Sequence, residues 1–478
     1  MSQTGRFLLT SLLLVATAFA ADRTKPELSE PEPWVAKSVQ SFKLSNGLPV
    51  YVYPKPGPAL VSLQTLVTKG WADDPNGQAG LTHLLGSVLE EGAGGREALA
   101  LAEALELLGA DLSVWTDHHG MGLSLDVTTD QFDAAAAIFR DVLLKPDFPE
   151  AEIERAKNRY VNGLIAAYDE VGRIGRTVFF NQIYGAEHPY GQLPSRGWPQ
   201  YRALTRDQLR AFHRAHFHAG NMAMVVSGAL SAAEVKTKLE ALFGSIPAKE
   251  ATAGVVPKPP KEGKRRIVLV DKPGAAQSYL GLGHLGVPLD SPDYYAVQVM
   301  NTILGGTFAS RLNQNIREEN GYAYNAYSYF VNRLGVGPFY ARSDVQTDAT
   351  AAAVGEFFNE FTRMRKDLSE DDVRRAKNYL TLGYPGSFAR VDQITGTYID
   401  LLGKRRPVTM PETYTRAVNA VTLKDVRAAA NKYLKPKNML VVVVGDRAKV
   451  EAELKALKLG KVTVASIEQA LGEKPSVE

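Results

Sequence analysis

The pattern of apolar and polar positions predicts short strands alternating with amphipathic helices. Residues 42–54, FKLSNGLPVYVYP, hold two alternating stretches around Asn46-Gly47, which is typical of a β-hairpin. Residues 62–70 and 111–127 also alternate and predict further strands. Apolar residues at helical spacing predict helices over 80–92, 97–108, 129–144 and 154–168.

Repetition within the chain indicates two homologous halves. Residues 204–228 (LTRDQLRAFHRAHFHAGNMAMVVSG) and 421–445 (VTLKDVRAAANKYLKPKNMLVVVVG) match at a constant offset of 217 residues. A second match, Arg-Ala-Lys-Asn at 155–158 and 375–378, lies upstream at an offset of 220 residues. Ordered matches at nearly one offset are typical of a duplicated domain. The identical pairs in the longer match include Thr205 and Thr422, Arg210 and Arg427, Asn221 and Asn438, and Gly228 and Gly445.

Each half mixes alternating strands with long helices, which predicts the α+β class. We expect a mostly antiparallel sheet in each half, with helices on one face, and two such halves forming a clamshell. Composition sets the boundaries, because a stretch rich in Pro, Gly and Lys is typical of a linker. The predicted order is a first domain at 36–247, a linker at 248–266, a second domain at 267–460 and a tail at 461–478.

The N-terminus has the pattern of a secretory signal peptide at 1–21. Arg6 supplies the positive charge, 7–15 are apolar, and Ala18-Phe19-Ala20 is a small-x-small cleavage site. A membrane anchor is the alternative, but this apolar run is short for a bilayer span. A flexible, Pro-rich lead-in at 22–35 follows. We expect export without stable membrane insertion, to the periplasm if the source is a Gram-negative bacterium.

Composition and charge narrow the functional classes. The chain has 478 residues, a formal net charge of +3 and no cysteine. An exported chain without cysteine has neither disulfides nor thiol chemistry, so its stability comes from its core. The small net charge gives nucleic-acid binding no support. Signatures of serine hydrolases, P-loops and dinucleotide-binding loops are also missing from the sequence.

The helix predicted at 80–92, GLTHLLGSVLEEG, has the shape of a metal-binding helix without most of its ligands. In the inverted zinc motif His-x-x-Glu-His, two histidines four apart share a metal and the Glu is a general base. His83 occupies the first position, but Gly86 and Ser87 stand where the Glu and the second His belong. In the inverted-motif arrangement, the third metal ligand is a Glu on a later helix, and here it would fall at about 162–164. That ligand is also missing, since 155–168 contain no acidic residue.

We therefore expect this chain to bind no metal, and His83 to be a packed core or surface residue. His118-His119 are predicted on a strand, where adjacent side chains point to opposite faces and do not share a metal. His213, His216 and His218 cluster near a predicted helix end in a spacing that matches no standard zinc site.

A distinctive run in the second half is 303–329, ILGGTFASRLNQNIREENGYAYNAYSY. It predicts a helix over 309–319 that ends near Gly321, and then a strand from Tyr327 to Phe330.

Arg317 and Tyr324 are seven residues apart in this run, a spacing that aligns side chains on a continuous helix. A guanidinium and a phenol together are suited to hold a peptide carbonyl, or an oxyanion that develops from it. The alternative is an arginine in a surface ion pair with Glu318 or Asp344, and a tyrosine packed at a sheet edge.

These stretches resemble the pitrilysin/insulinase family of inverted-motif zinc peptidases, which includes the mitochondrial processing peptidase. The resemblance covers most of the chain and rests on GLTHLLGSVLEEG, on HPYG at 188–191 and on LGGTFASRLNQNIREENGYAY. It implies that Arg317 and Tyr324 match the Arg/Tyr pair of the family, which binds substrate backbone and stabilises the tetrahedral intermediate. Tyr322 departs from the family pattern, which usually has an aliphatic residue there.

In the two-subunit members of this family, one chain supplies zinc and the base, and the other offers its Arg/Tyr pair in trans. The resemblance thus implies an exported non-catalytic subunit of a heterodimeric zinc metalloendopeptidase, with zinc in a homologous partner and unfolded peptide as substrate. One alternative is a peptide-binding or scaffolding protein without a role in proteolysis. Another is a self-sufficient peptidase with displaced ligands such as His83 and Glu90 or Glu91.

Overall fold

The structure, a computed structural model, describes residues 34–476. The predicted signal peptide at 1–21 and positions 22–33 of the predicted lead-in lie outside the described residues. Within residues 34–476, no helix combines the length and the hydropathy of a membrane span.

The first half is built on a six-stranded sheet. Its strand order is β1-β2-β8-β3-β7-β6, in which β2 and β8 run parallel and the other neighbours are antiparallel. The predicted hairpin is present as β1 and β2, with Gly47 at φ 85° in its turn. The strands are β1 Gln40–Lys43, β2 Pro49–Pro54, β3 Leu60–Val67, β4 Gly92–Ala93 and β5 Arg96–Glu97 (a separate small pair), β6 Asp111–Thr116, β7 Met121–Thr128 and β8 Met222–Gly228.

The second half repeats this design. Its sheet has the order β11-β12-β10-β13-β9-β14, so the parallel pair β9 and β13 matches β2 and β8. Only the outermost strand differs, because β14 runs parallel to β9 whereas β1 is antiparallel to β2. The strands are β9 Arg266–Asp271, β10 Gln277–Leu285, β11 Ala323–Phe330, β12 Pro338–Gln346, β13 Leu440–Gly445 and β14 Lys461–Ala465.

Two boundaries predicted from the sequence are corrected. Strand β11 begins at Ala323 rather than at Tyr327. The predicted tail at 461–478 begins with β14, which pairs with β9 over its whole length, so the second sheet does not end at 460. Val462 and Val464 pack on the second core, which explains why these residues are ordered as a strand.

Amphipathic helices cover one face of each sheet and close two separate hydrophobic cores. The predicted α+β class with two homologous domains is confirmed. The first half contains the helices Leu81–Val88, Ala98–Leu107, Phe132–Leu144, Glu150–Ala167, Val171–Tyr184, Pro194–Ala203, Arg206–His216 and Ala232–Phe243. The second half contains Tyr294–Leu304, Arg311–Asn313, Thr350–Lys366, Glu370–Gly383, Val391–Gly403, Met410–Asn419, Leu423–Tyr433, Arg447–Ala456 and Ile467–Leu471.

Two helices cross from one half to the other, which the sequence analysis did not predict. Helix Val171–Tyr184 belongs to the first half but packs on the second sheet, on the face opposite the second core. Its Phe179 lies against Tyr340 of β12, with ring centroids 4.5 Å apart. We call this helix and its counterpart Val391–Gly403 the crossing helices.

The second crossing helix makes the reciprocal contact, from the second half to the first sheet. Val391–Gly403 packs on the first sheet, and its Tyr398 contacts Tyr53 of β2 at a ring distance of 6.0 Å. Its Thr395 hydroxyl lies 2.8 Å from the buried Ser62 hydroxyl of β3. The two crossing helices begin 220 residues apart, the offset of the shorter sequence repeat, so the exchange follows from the duplication.

The segment between the halves has no helix or strand from 245 through 265, and all of those residues are described. Hydrogen bonds nevertheless fasten its beginning to the first half. Lys69 Nζ donates to the Ala253 carbonyl at 2.9 Å, and Val255 N donates to Asp73 Oδ1 at 3.0 Å. The linker therefore follows a fixed path over the first half before β9 begins.

Candidate functional site

The helix that carries the degenerate zinc motif, Leu81–Val88, is capped by a half-buried carboxylate from outside the helix. Asp74 accepts hydrogen bonds from Gly80 N at 2.7 Å and from Thr82 N at 2.9 Å, and a third from the Thr82 hydroxyl at 2.8 Å. These bonds satisfy amide groups that the first turn leaves unpaired. Burial raises the pKa of Asp74 to about 6 despite these donors. The sequence analysis missed this residue, because its distance from the helix leaves no periodic signal.

His83 lies half-buried in an aromatic cluster. Its Nδ1 is 3.2 Å from the Tyr201 hydroxyl, and its ring centroid is 5.0 Å from that of Tyr160. Tyr160 and Tyr201 stack on each other at 4.0 Å. Burial lowers the pKa of His83, which favours the neutral imidazole. The environment of this histidine is that of a packed residue with a hydrogen bond.

The second motif position is closed by packing. A Cβ placed on Gly86 would lie 2.3 Å from Thr116 Cγ2 of β6, so no side chain fits there without movement. At the third motif position, the Ser87 hydroxyl donates to the His83 carbonyl at 2.9 Å within the helix. The space that a Glu at 86 would require is thus occupied by the neighbouring strand.

The helix expected to carry a third ligand, Glu150–Ala167, offers none near 162–164. Glu91, one of the displaced candidates, is paired through Oε1 with Arg159 Nη2 of this helix at 3.1 Å. Burial, then the charges of Glu91 and a further acid, raise the pKa of the other candidate, Glu90. Over residues 34–476, no group of three or more His, Cys, Asp or Glu side chains is close enough to hold a metal ion.

The two histidines predicted on a strand lie instead in the turn between β6 and β7, so that prediction is wrong. His119 Nε2 contacts the hydroxyl of Tyr190, a residue of the HPYG stretch. That hydroxyl accepts a hydrogen bond from Gly335 N of the second half at 3.0 Å. The Arg333 guanidinium lies 4.3 Å from the Tyr190 ring centroid, and burial with this nearby charge lowers the pKa of His118 to about 2. These residues join the two halves.

The predicted helix before Gly321 is present as a short α turn, Arg311–Asn313, that continues as a π turn, Gln314–Glu319. Single π turns are frequent at functional sites. Gly321 adopts φ 64° and ends the helix, so Tyr324 lies on β11 rather than on a continued helix. Arg317 and Tyr324 are therefore separated by a turn and do not share one helix face.

This turn nevertheless brings Arg317 and Tyr324 together. The Arg317 Cζ lies 5.1 Å from the centroid of the Tyr324 ring and 4.4 Å from that of Phe308. Such distances are within the range of cation–π attraction. Phe308 was not singled out from the sequence, although its place in the Gly-Gly-Thr-Phe turn was visible there. We call Phe308, Arg317 and Tyr324 the guanidinium sandwich.

The guanidinium sandwich is exposed and incompletely bonded. Tyr324 is 80% exposed and Phe308 is 58% exposed, values that are unusual for large aromatic side chains. Arg317 Nε is 3.4 Å from Glu318 Oε1, which is one of the pairs that the surface alternative predicts. Arg317 Nη1, however, is buried and has no hydrogen-bond partner among the described residues. The hydrogen-bonding capacity of this guanidinium nitrogen is therefore unmet within the described residues.

Comparisons with known proteins show the family of the chain. A family model described as "Insulinase (Peptidase family M16)" matches residues 53–180, and one described as "Peptidase M16 inactive domain" matches residues 203–380. The chain belongs to the insulinase family, peptidase family M16. The degenerate motif lies within the first match and the guanidinium sandwich within the second.

Proteins named as uncharacterized zinc proteases resemble this chain over most of its length. It is 25% identical over 403 residues to an uncharacterized zinc protease of Rickettsia felis, covering 82% of this chain and 93% of the relative. It is 23% identical over 418 residues to an uncharacterized zinc protease of Streptomyces coelicolor, covering 85% of this chain and 89% of the relative.

Solved structures resemble the fold. The crystal structure of a peptidase M16 inactive domain from Pseudomonas fluorescens is 27% identical, with a TM-score of 0.79 over 86% of this chain and 98% of that one. A protease from Helicobacter pylori is 18% identical, with a TM-score of 0.78 over 85% of this chain and 99% of that one, and it supports the fold alone.

Proposed function

We propose that this member of peptidase family M16 is the exported, zinc-less subunit of a heterodimeric zinc metalloendopeptidase. A homologous partner subunit with an intact His-x-x-Glu-His motif supplies zinc and the general base. This chain binds unfolded peptide and positions it through Arg317 and Tyr324. The signal-peptide pattern at 1–21 supports export, and the periplasm follows if the source is a Gram-negative bacterium.

One observation carries the proposal: the guanidinium sandwich keeps an unbonded donor, Arg317 Nη1, between two exposed aromatic rings. A buried N–H without a partner costs free energy, commonly about 1–3 kcal/mol, which a peptide carbonyl would recover on binding. In a water-excluded site, the same donor would stabilise the negative charge that develops on that carbonyl oxygen during attack by water. The Tyr324 hydroxyl supplies a second donor to such an oxygen.

The degenerate motif supports a role without zinc in this chain. The strand next to Gly86 fills the place of the general base, and His83 is engaged by Tyr201. The relatives are named uncharacterized zinc proteases, whereas this chain lacks the His-x-x-Glu-His motif. Zinc chemistry therefore belongs to the partner in the proposed complex.

The test is reconstitution with the homologous chain of the same genome that carries His-x-x-Glu-His. We expect cleavage of a fluorogenic casein-derived peptide by the mixture and little cleavage by either chain alone. The double variant Arg317→Ala/Tyr324→Phe should lower kcat/KM at least tenfold while the complex still forms in size-exclusion chromatography. A mixture that cleaves no faster than the zinc-bearing chain alone would contradict the proposal and favour the scaffolding alternative.

A matched control comes from the same half of the chain. Arg375 and Tyr379 are also exposed, on the helix Glu370–Gly383, and Arg375 is paired with Asp371 and Asp372. The variant Arg375→Ala/Tyr379→Phe removes the same chemical groups from another surface. It should leave kcat/KM unchanged, so that a loss seen only in the sandwich variant reports on the site and not on general damage.

A further inference from the structure

A cavity of about 660 Å³ lies where the linker meets three loops of the second half. Its walls come from 256–259 of the linker, 288–290 after β10, 334–336 between β11 and β12, and 404–407 after the second crossing helix. A volume in this range is typical of sites for small organic ligands. Neither the zinc-motif helix nor the guanidinium sandwich contributes a residue to the cavity.

The cavity lining is mostly apolar and rich in proline. Leu289, Leu334 and Val336 line it together with four prolines from the linker and the loops. Proline fixes its own φ and offers no N–H donor, so these walls have little freedom to collapse and little capacity for backbone recognition. A ligand would therefore find a preformed apolar surface, which reduces the entropy lost on binding.

The polar lining is strongly cationic. Lys258, Lys404, Arg405 and Arg406 face a single carboxylate, that of Asp290. Lys404 is engaged by Asp400, and Arg406 donates to the Leu289 carbonyl while it lies 4.0 Å from the Tyr294 ring centroid.

Two of the cations are uncommitted. In the part of the chain that the structure describes, neither Lys258 Nζ nor the Arg405 guanidinium forms an ion pair or a hydrogen bond. Arg405 also adopts φ 54°, a left-handed conformation that is unfavourable for a residue with a Cβ. Two unpaired cations beside an apolar cavity match an anion attached to an apolar group.

We propose that this cavity binds a carboxylate with an apolar body, namely the free C-terminal end of a peptide whose last side chain is apolar. Arg405 and Lys258 bind the carboxylate, and Leu334 with Val336 contacts the last side chain. The prolines exclude water from that side chain without competing for the carboxylate. An amphiphilic fatty acid shares this chemistry, so the experiment separates the two sources.

The experiment measures fluorescence anisotropy of a fluorescein-labelled pentapeptide that ends in leucine, with the full chain. We expect the free acid to bind at least tenfold more tightly than its C-terminal amide, and more tightly than a free acid that ends in glycine. Equal affinity of acid and amide would overturn the proposal. Inorganic phosphate that competes as well as the free acid would overturn it too, because phosphate has no apolar body. Direct binding of octanoate tenfold tighter than the peptide would overturn the peptide assignment.

Variants locate the site. Arg405→Ala and Lys258→Ala should each weaken binding of the free acid at least threefold, and neither residue is buried, so the fold should tolerate both. The exposed cations Arg374 and Lys424 lie outside the cavity, and their alanine variants should bind as the wild type does. Arg405→Ala without effect would contradict the assignment.

The guanidinium sandwich provides the last control. Binding of the pentapeptide acid should persist in Arg317→Ala/Tyr324→Phe, because the cavity does not include those residues. Loss of binding in that variant would assign the peptide to the guanidinium sandwich and refute the cavity. The two proposals can therefore fail separately. Peptide binding in fluorescence anisotropy tests the cavity, whereas kcat/KM of the reconstituted pair tests the proposed proteolytic role.

Discussion

The packing of Gly86 against Thr116 makes a quantitative prediction about the degenerate motif. An ideal Cβ at position 86 would lie 2.3 Å from Thr116 Cγ2, whereas non-bonded carbons prefer about 3.5–4.0 Å. Replacing a glycine by alanine inside a helix normally stabilises by about 0.5–1 kcal/mol. Overpacking a buried site costs about 1–3 kcal/mol. We therefore expect Gly86→Ala to lower the free energy of unfolding by about 1–2 kcal/mol.

A double-mutant cycle with Thr116→Ser tests this steric argument, because that substitution removes the methyl group that a Cβ at position 86 would meet. Thr116→Ser deletes Cγ2 but keeps the hydroxyl that accepts from Trp71 Nε1 at 3.3 Å. Alone it should cost about 1 kcal/mol, the value of one buried methyl group. In the double variant, the new alanine methyl occupies the vacated space, so the double variant should be more stable than Gly86→Ala alone. The expected coupling energy is about 1–2 kcal/mol.

Urea unfolding followed by tryptophan fluorescence measures each member of the cycle. Gly163 provides the control, because it lies in the helix Glu150–Ala167 and a Cβ there would meet nothing within 4 Å. Gly163→Ala should keep or raise the urea midpoint. A wild-type midpoint for Gly86→Ala, or additive effects in the double variant, would refute the argument that β6 closes this position.

Three further predictions address single residues. Phe308→Ala should weaken binding of a labelled casein-derived peptide about two- to fivefold in fluorescence anisotropy, since an exposed cation–π contact with Arg317 contributes about 0.5–1 kcal/mol; an unchanged Kd would remove Phe308 from the site. The pKa of His118 is lowered to about 2 by burial and by Arg333, so the unfolded chain binds more protons below pH 6.5 and stability falls as the pH falls. His118→Phe should flatten this dependence by up to about 1.4 kcal/mol per pH unit in urea titrations at pH 4.5–6.5; an identical slope would contradict it. Asp74→Ala should lower the free energy of unfolding by about 1–3 kcal/mol, because two helix amides lose their acceptor, and an unchanged urea midpoint would contradict this cap.

Local patterns in the sequence predict much of this fold. The Asn46-Gly47 hairpin, the alternation of 111–127 and the helix ending near Gly321 correspond to elements of the structure. The repeat at an offset of 217 residues predicts two halves because duplicated domains keep their spacing. β14 was missed because a five-residue strand with only two valines on its inner face resembles a polar tail.

The sequence patterns did not predict which distant elements pack together. Periodicity shows that Val171–Tyr184 has an apolar face but not which sheet that face covers, and the crossing helices use the sheet of the other half. The guanidinium sandwich was predicted in part, since Arg317 and Tyr324 meet, although through a turn rather than on a helix. Phe308 and Asp74 were missed because their partners are fixed only by tertiary structure.

The crossing helices also affect how this chain folds during its synthesis. Leu66 and Val225, in the middle of the first sheet, stay uncovered on one face until Val391–Gly403 has been made. The contact between Ser62 and Thr395 spans 333 positions, and contacts of such separation slow folding because a long loop must close first. The duplication therefore did not leave two independent modules. Until Val391–Gly403 has been made, a ribosome-bound chain exposes this apolar face of the first sheet to chaperones.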